Sequence, residues 1–171
     1  YATFLPPPRD MDAFVSQMDA IVIGTIRSVV DEGTLNSYNE ADNARNIRPG
    51  DKYSSGLPRT DYELAVDRVL LDDESITPGK SITFRMLGEH GHISSFPSLM
   101  KMPRIGDYRL YGLGRNPDGE SFGLHSWWSQ FLIDCPTVTH ADDLHAPVEF
   151  ADASDTALFI QEIQSAVARL P

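Results

Sequence analysis

The stretch from Thr60 to Leu71 reads TDYELAVDRVLL and decides the fold. Its apolar residues Tyr62, Leu64 and Val66 alternate with more polar ones, which is the period-two pattern of a strand with one buried and one wet face. The apolar positions then move by one residue. A β-bulge near Asp67–Arg68 accounts for that shift, and it would bend the strand as a small closed sheet requires.

Four further segments carry strand patterns. The segment Asp19–Val30 is predicted to be a buried strand, because its apolar residues would lie on both faces. Residues Ile82–Met86 repeat the alternation after a Pro-Gly turn. Strand four is predicted at Tyr108–Leu113 and strand five from Ser121 to about Trp128, and the intervening turn Asn116–Gly119 is typical of a hairpin. Residues 131–133 either continue strand five or form a short extra strand.

Helical patterns flank these strands. Between Met11 and Met18 the apolar residues recur at helical spacing, with Asp10 as the N-cap. Similar spacing between Phe159 and Leu170 predicts a final helix capped by Asp152 or Ser154. The chain is therefore predicted to be mainly β, a five-stranded antiparallel OB-like barrel with an N-terminal and a C-terminal helix. No linker or repeat divides it, which predicts a single domain over residues 1–171.

Composition excludes some functions. The formal charge of −11 over 171 residues repels phosphate backbones, and the 14 Lys and Arg residues are scattered, so no nucleic-acid partner is expected. No apolar run approaches the ~20 residues that span a bilayer. Cys135 is the only cysteine, so no intrachain disulfide can form. Because the chain begins at Tyr1 and not at Met, we expect that a signal, an anchor or a tag preceded it.

Three segments carry a resemblance to a known family. Residues Asp19–Ile26 (DAIVIGTI), Thr60–Leu70 (TDYELAVDRVL) and Ile105–Tyr111 (IGDYRLY) resemble a family of largely uncharacterised bacterial envelope or secreted proteins, over about residues 18–133. The barrel is similar in plan to the netrin-like module of tissue inhibitors of metalloproteinases. The resemblance implies a fold and a location outside the cytoplasm. It implies no inhibitory activity, because those inhibitors use an amino-terminal cysteine and this chain begins YAT.

The sharpest candidate for chemistry is the segment EHGH at residues 89–92. Its imidazoles, His90 and His92, lie on one face of an extended chain and can reach one cation. Catalytic zinc usually has three protein ligands and an open position, and His125 is a candidate third ligand. With Glu89 as general base, these residues predict a zinc-dependent hydrolase as the alternative function. Solvated histidines in a loop are the simpler interpretation. Further options for the third ligand are Glu89, His140 and His145.

Two other features predict a ligand surface. His125 and Trp127 share one face of strand five, and aromatic groups on a barrel strand can bind sugars or bases. Packing of Trp127 in the interior is the simpler alternative. The polar segment from residue 31 to 58 is long for a connection inside a domain, and it carries Arg45 and Arg48. Those two arginines are predicted to join the ligand surface, and a solvated insertion is the simpler alternative for the segment.

The sequence contains no convincing catalytic motif, but it contains two long irregular loops. The preferred prediction is therefore a non-enzymatic binding module without a cofactor, whose ligand is a protein or a glycan. Its contact surface would comprise the loops at residues 31–58 and 88–104 together with the Trp127 face. On an OB-type barrel the first and fourth connections flank the ligand groove, which here are the 31–58 loop and the hairpin at residues 114–121.

Overall fold

The structure is a computed structural model that describes residues 6–35, 57–72, 74–92, 101–126, 128–134, 136–141 and 148–171. Within these residues the chain is mainly β, as predicted, with one mixed sheet of seven strands and a helix near each end. No helix among them is both long and apolar enough to cross a membrane. The strands are β1 (Ala20–Leu35), β2 (Leu57–Leu71), β3 (Ser81–Leu87), β4 (Tyr108–Arg115), β5 (Ser121–Leu124), β6 (Gln130–Leu132) and β7 (Thr139–His140), and the helices are α1 (Met11–Ser16) and α2 (Thr156–Ala168).

Five of the strands form a closed ring of pairings. β1 pairs with β2 and β4, β2 with β3, and β4 with β5, all antiparallel. β3 and β5 close the ring in parallel, through Thr83 opposite Ser121 and Phe84 opposite Phe122. The prediction of an entirely antiparallel sheet is wrong at this pairing. β1 and β3 run in the same direction, because each is antiparallel to β2. β4 is antiparallel to β1, and the hairpin reverses the chain again, so β5 runs parallel to β3.

The register of β1 against β2 confirms the predicted bulge. Ile23 lies opposite Arg68 and Gly24 lies opposite Val66, so Asp67 is an extra residue on β2. The strands approach closely beside it: a Cβ on Gly24 would come nearer than 3.0 Å to the carbonyl oxygen of Ala65. Glycine at position 24 therefore permits the close approach of the two backbones at the bend.

Apolar side chains pack against both faces of β1, as predicted. On one face Ile21 and Ile23 belong to a cluster with the two helices, which we call the helix-side core. On the other face Val22 and Ile26 belong to a cluster with side chains from the other ring strands, which we call the ring core. The fully buried aromatic residues divide between them. Those of the helix-side core are Phe14, Trp128, Phe131 and Phe159, and those of the ring core are Tyr62, Phe84 and Tyr111.

The helix boundaries agree with the sequence at one end of the chain and differ at the other. Asp10 caps α1 as predicted, because its Oδ1 accepts from the third backbone N–H of the helix at 2.8 Å. α2 is capped by Asp155, which accepts from the backbone N–H of Leu158 at 3.1 Å. The predicted caps Asp152 and Ser154 are wrong. Their side chains bond to each other at 2.6 Å in the turn before the helix.

The end of strand five also differs from the prediction. β5 stops at Leu124, and the chain turns through Ser126 and Ser129 before β6 begins. The Ser129 hydroxyl accepts from the Ser126 backbone N–H at 3.0 Å and lies 2.9 Å from the carbonyl oxygen of Gly112, so the turn is fixed against β4. Of the two alternatives for residues 131–133, a separate strand is the one observed. No sequence pattern predicted β7, which is two residues long.

Candidate functional site

Of the four predicted ligand-binding residues, one lies in the described part of the chain and three lie outside it. His125 lies in the described part of the chain, immediately after β5. Trp127, Arg45 and Arg48 lie outside the described residues, as does most of the segment from residue 31 to 58. The predictions made on those three residues therefore stay predictions.

His125 connects α1 to the sheet. Its Nε2 lies 3.2 Å from Oε1 of Gln17, which follows α1, and its ring meets that of Trp128 nearly edge-on at 5.6 Å. Burial lowers the pKa of His125, and the negative charge of Asp19 opposes this shift in part. The neutral imidazole donates one hydrogen bond here and packs on an aromatic ring. Gln17 also lines a surface groove of about 390 Å³ between residues 6–9 and α1.

His90 and His92 lie in the turn after β3 but point to different surroundings. His90 Nδ1 is 2.9 Å from the hydroxyl of Tyr62, a fully buried residue of the ring core. Burial raises the pKa of Tyr62, so its phenol stays protonated within hydrogen-bond distance of the His90 ring. His92 is exposed, and its Nε2 lies 3.7 Å from Oε2 of the equally exposed Glu89. One histidine thus anchors the turn, and the other faces solvent.

The three predicted zinc ligands share no contact in the structure. His90 contacts Tyr62, whereas His125 contacts Gln17 and Trp128. Among the residues described, no group of three or more His, Cys, Asp or Glu is arranged to hold a metal ion. The zinc-dependent hydrolase therefore stays a prediction that gains no support from these contacts. Of the further options, His140 packs on Phe131 in the helix-side core, and His145 is outside the described residues.

A network of charged side chains covers the face of β2 and β3 that points away from the ring core. At its centre is Asp61, which is only 5% exposed. Arg85 reaches both of its carboxylate oxygens, Nε at 2.7 Å from Oδ1 and Nη2 at 3.0 Å from Oδ2. Arg59 donates a third hydrogen bond to Oδ2 at 3.1 Å. Charge-assisted bonds of this fork geometry offset the cost of taking the carboxylate out of water.

The network continues in both directions from these arginines. Arg59 Nη2 lies 2.9 Å from Oδ2 of Asp31 on β1, and its guanidinium holds the pKa of that exposed carboxyl below its usual value. Arg85 Nη1 lies 3.6 Å from Oδ2 of Asp118, which sits in the hairpin between β4 and β5. The contacts therefore link β1, β2, β3 and the β4–β5 hairpin in one row. We call this row and its neighbour Glu63 the charged face.

Glu63 extends the charged face along β2. It lies two residues after Asp61, so both side chains point the same way. Ser28 on β1 donates to Oε1 at 3.1 Å, and Ser81 on β3 donates to Oε2 at 2.8 Å. These two hydrogen bonds lower the pKa of Glu63. Hydrogen bonds between β1, β2 and β3 therefore hold these polar side chains in place.

Part of this face could be read from the sequence. The alternation that includes Asp61, Glu63 and Asp67 predicts a wet side for the strand. In the structure Asp67 is exposed and Glu63 is half-buried, whereas Asp61 is buried. The partners could not be read in the same way, because Arg85 meets Asp61 only through the cross-strand register of β2 and β3. Asp118 was interpreted as a turn residue, which it is, since it accepts from two backbone N–H groups of the hairpin. Its second contact, with Arg85, follows from closure of the ring.

Comparison with family models and with curated proteins identifies no relative of this chain. No protein-family model matches the chain, and a search of curated proteins gives no match. The function must therefore be inferred from the residues of the charged face and from the order of the strands.

Proposed function

We propose that this protein is a non-enzymatic binding module built on an OB-like barrel, and that the charged face is its ligand surface. The strand order of the ring, β1-β2-β3-β5-β4 and back to β1, supports the barrel, since OB-type barrels have this order. Barrels of that type bind ligands on the face of their second and third strands, between the first and fourth connections. The charged face occupies the corresponding strands.

The contact between Arg85 and Asp118 is the observation that carries the proposal. It joins β3 to the hairpin between β4 and β5, which is the fourth connection of the ring. The polar groups of the strands and of the hairpin then form one surface whose side chains are fixed before a ligand arrives. Preorganisation of this kind raises affinity, because little side-chain entropy remains to be lost on binding.

The chemistry of this surface favours a hydrogen-bonding ligand. It presents carboxylates, guanidinium groups and serine hydroxyls, which together supply the donors and acceptors that peptide groups and sugar hydroxyls can use. The charge of −11 makes a polyanion such as a nucleic acid a poor partner. The ligand class is therefore a protein segment or a glycan. The proposed location outside the cytoplasm rests on the family resemblance alone.

The proposal is tested by screening the purified chain against a glycan array and a phage-displayed library of random peptides. Binders are then measured against the double variant Asp31→Asn/Glu63→Gln, which alters two side chains of the charged face. The matched control is Asp12→Asn/Glu162→Gln, which makes the same chemical changes on the two helices. Asp31 and Asp12 are similarly exposed, at 61% of the side chain each.

We expect the face variant to weaken binding at least tenfold and the control to leave it unchanged. Two results would contradict the proposal: binders whose affinity the face variant does not alter, or a well-folded protein that selects nothing from either library. Circular dichroism of both variants separates a loss of the surface from a loss of the fold.

A further inference from the structure

Among the described residues, one edge of β1 has no strand partner over half of its length. β4 pairs with β1 only from Ala20 to Thr25, and the last contacts between β1 and the segment before β4 are made at Ile26. From Arg27 to Leu35, β1 pairs with β2 on one side, and no described strand pairs with its other side. We call residues 27–35 the free edge. A long unpaired edge is a template on which a second chain can add a strand.

The free edge is interrupted by two bulges. Ile26 lies opposite Leu64 and Ser28 opposite Glu63, so Arg27 is an extra residue on β1. Val29 and Asp31 lie opposite consecutive residues of β2 as well, which makes Val30 a second extra residue. A bulge twists the strand and breaks the regular spacing of its N–H and C=O groups, so an incoming flat strand finds no continuous ladder.

Charged side chains accompany the bulges. Arg27, Asp31 and Glu32 are all exposed, and among the described side chains of this segment Val30 is the large apolar residue that is exposed, at 54%. Asp31 is held by Arg59 on the charged face, whereas the side chains of Arg27 and Glu32 form no hydrogen bond or ion pair with a described residue. The charge of Arg27 still helps to lower the pKa of Glu63. A second copy that added to this edge would have to desolvate the charges of Arg27 and Glu32.

We propose that Arg27 and Glu32, together with the two bulges, block strand addition at the free edge and so prevent self-association there. The inference is independent of the proposed ligand surface. It assigns a role to two exposed charges whose side chains form no hydrogen bond with a described residue, and to two bulges that lie beyond the last pairing of β1 with β4.

The double variant Arg27→Val/Glu32→Val tests the inference, because it keeps the net charge and gives the edge two good strand formers. The control is Arg9→Val/Glu120→Val, the same changes at two exposed positions in the N-terminal segment and the β4–β5 hairpin. Mass is measured by size-exclusion chromatography with light scattering at increasing concentration, and amyloid-like association by thioflavin T fluorescence.

We expect the edge variant to rise towards the mass of a dimer or larger species with concentration, while the wild-type chain and the control do not. An edge variant that keeps the wild-type mass and a native circular dichroism spectrum at every concentration would overturn the proposal. So would a wild-type chain that associates and is returned to a monomer by Val30→Pro. If the double variant does not fold, the single variant Glu32→Val is used, and the same two outcomes decide.

Discussion

Arg85 donates two parallel hydrogen bonds to the carboxylate of Asp61, of 2.7 Å from Nε and 3.0 Å from Nη2. The two residues are direct cross-strand partners on β3 and β2. Only the planar fork of an arginine makes this double contact, since a lysine ammonium would supply a single point of charge. Asp61 is only 5% exposed, so loss of Arg85 would leave a buried carboxylate without its main partner.

Replacement of Arg85 by methionine should therefore destabilise the protein by about 3 kcal/mol, because Asp61 would stay buried with Arg59 alone. The measurement is the free energy of unfolding in urea at neutral pH. The variant Arg85→Lys should fall between the wild type and Arg85→Met, since it keeps the charge and loses the fork.

The control for that prediction is the ion pair between Arg169 and Asp12. Its distance of 2.7 Å equals the shorter Arg85 bond, but both side chains are more than half exposed. Arg169→Met should therefore cost well under ~1 kcal/mol. Equal losses in Arg85→Met and Arg169→Met would contradict the role assigned to burial.

The two tyrosines of the ring core provide a matched pair. Both are fully buried, but the Tyr62 hydroxyl bonds to His90 at 2.9 Å, whereas the Tyr111 hydroxyl has no hydrogen-bond partner in the part of the chain that the structure describes. Tyr62→Phe should cost about 1 kcal/mol, and Tyr111→Phe should be neutral or stabilise by about 1 kcal/mol, because it removes an unpaired polar group. Unfolding in urea distinguishes the two. A clear loss of stability in Tyr111→Phe would show that its hydroxyl is paired in solution.

The bend in β1 makes a third prediction. A Cβ on Gly24 would meet the Ala65 backbone closer than 3.0 Å, and neither strand can move without breaking the register beside the bulge. Gly24→Ala should thus cost about 2 kcal/mol or more. Gly114→Ala on β4 is the control, because its nearest neighbour, Asp19 Oδ2, lies at 3.8 Å. Thermal unfolding should show a marked fall in Tm for Gly24→Ala only, and equal shifts in both variants would refute the steric explanation.

The sequence predicted local structure better than it predicted partners. The bulge at Asp67, the cap of α1 and the burial of both faces of β1 could be read from short runs of residues, since each depends on neighbours within a few positions. The parallel pairing of β3 with β5 could not be read in this way, because it depends on the pairing of β4 with β1, which are distant in the sequence. The length of β5 was overestimated for a similar reason. Its polar turn at Ser126 is fixed by Gly112, a residue of another strand.

The candidate site shows the same division. Histidines were singled out because their chemistry is visible in any sequence, yet His90 serves as an anchor for Tyr62 and His125 as a link to α1. No sequence pattern gave Arg59 a role. Its place between Asp31 and Asp61 depends on the pairing of β1 with β2, which no local pattern specifies.

The link between His125 and α1 makes stability depend on pH. Burial holds the pKa of His125 below its ordinary value of 6.5, so the folded state resists protonation more than the unfolded chain does. The contribution of this histidine is therefore fully present above pH 6.5, and it is lost as the pH falls from there towards the lowered pKa of the folded state.

The urea midpoint of the wild type should consequently fall more between about pH 7.5 and about pH 5.5 than that of His125→Gln, which cannot take up a proton. His92→Gln is the control, because that imidazole is exposed and its ion-pair partner among the described residues is the exposed Glu89. Proton NMR of the imidazole resonances gives the pKa of His125 directly. A His125 pKa of 6.5 or above, or an unchanged pH slope in His125→Gln, would mean that burial does not govern this imidazole and would contradict the prediction.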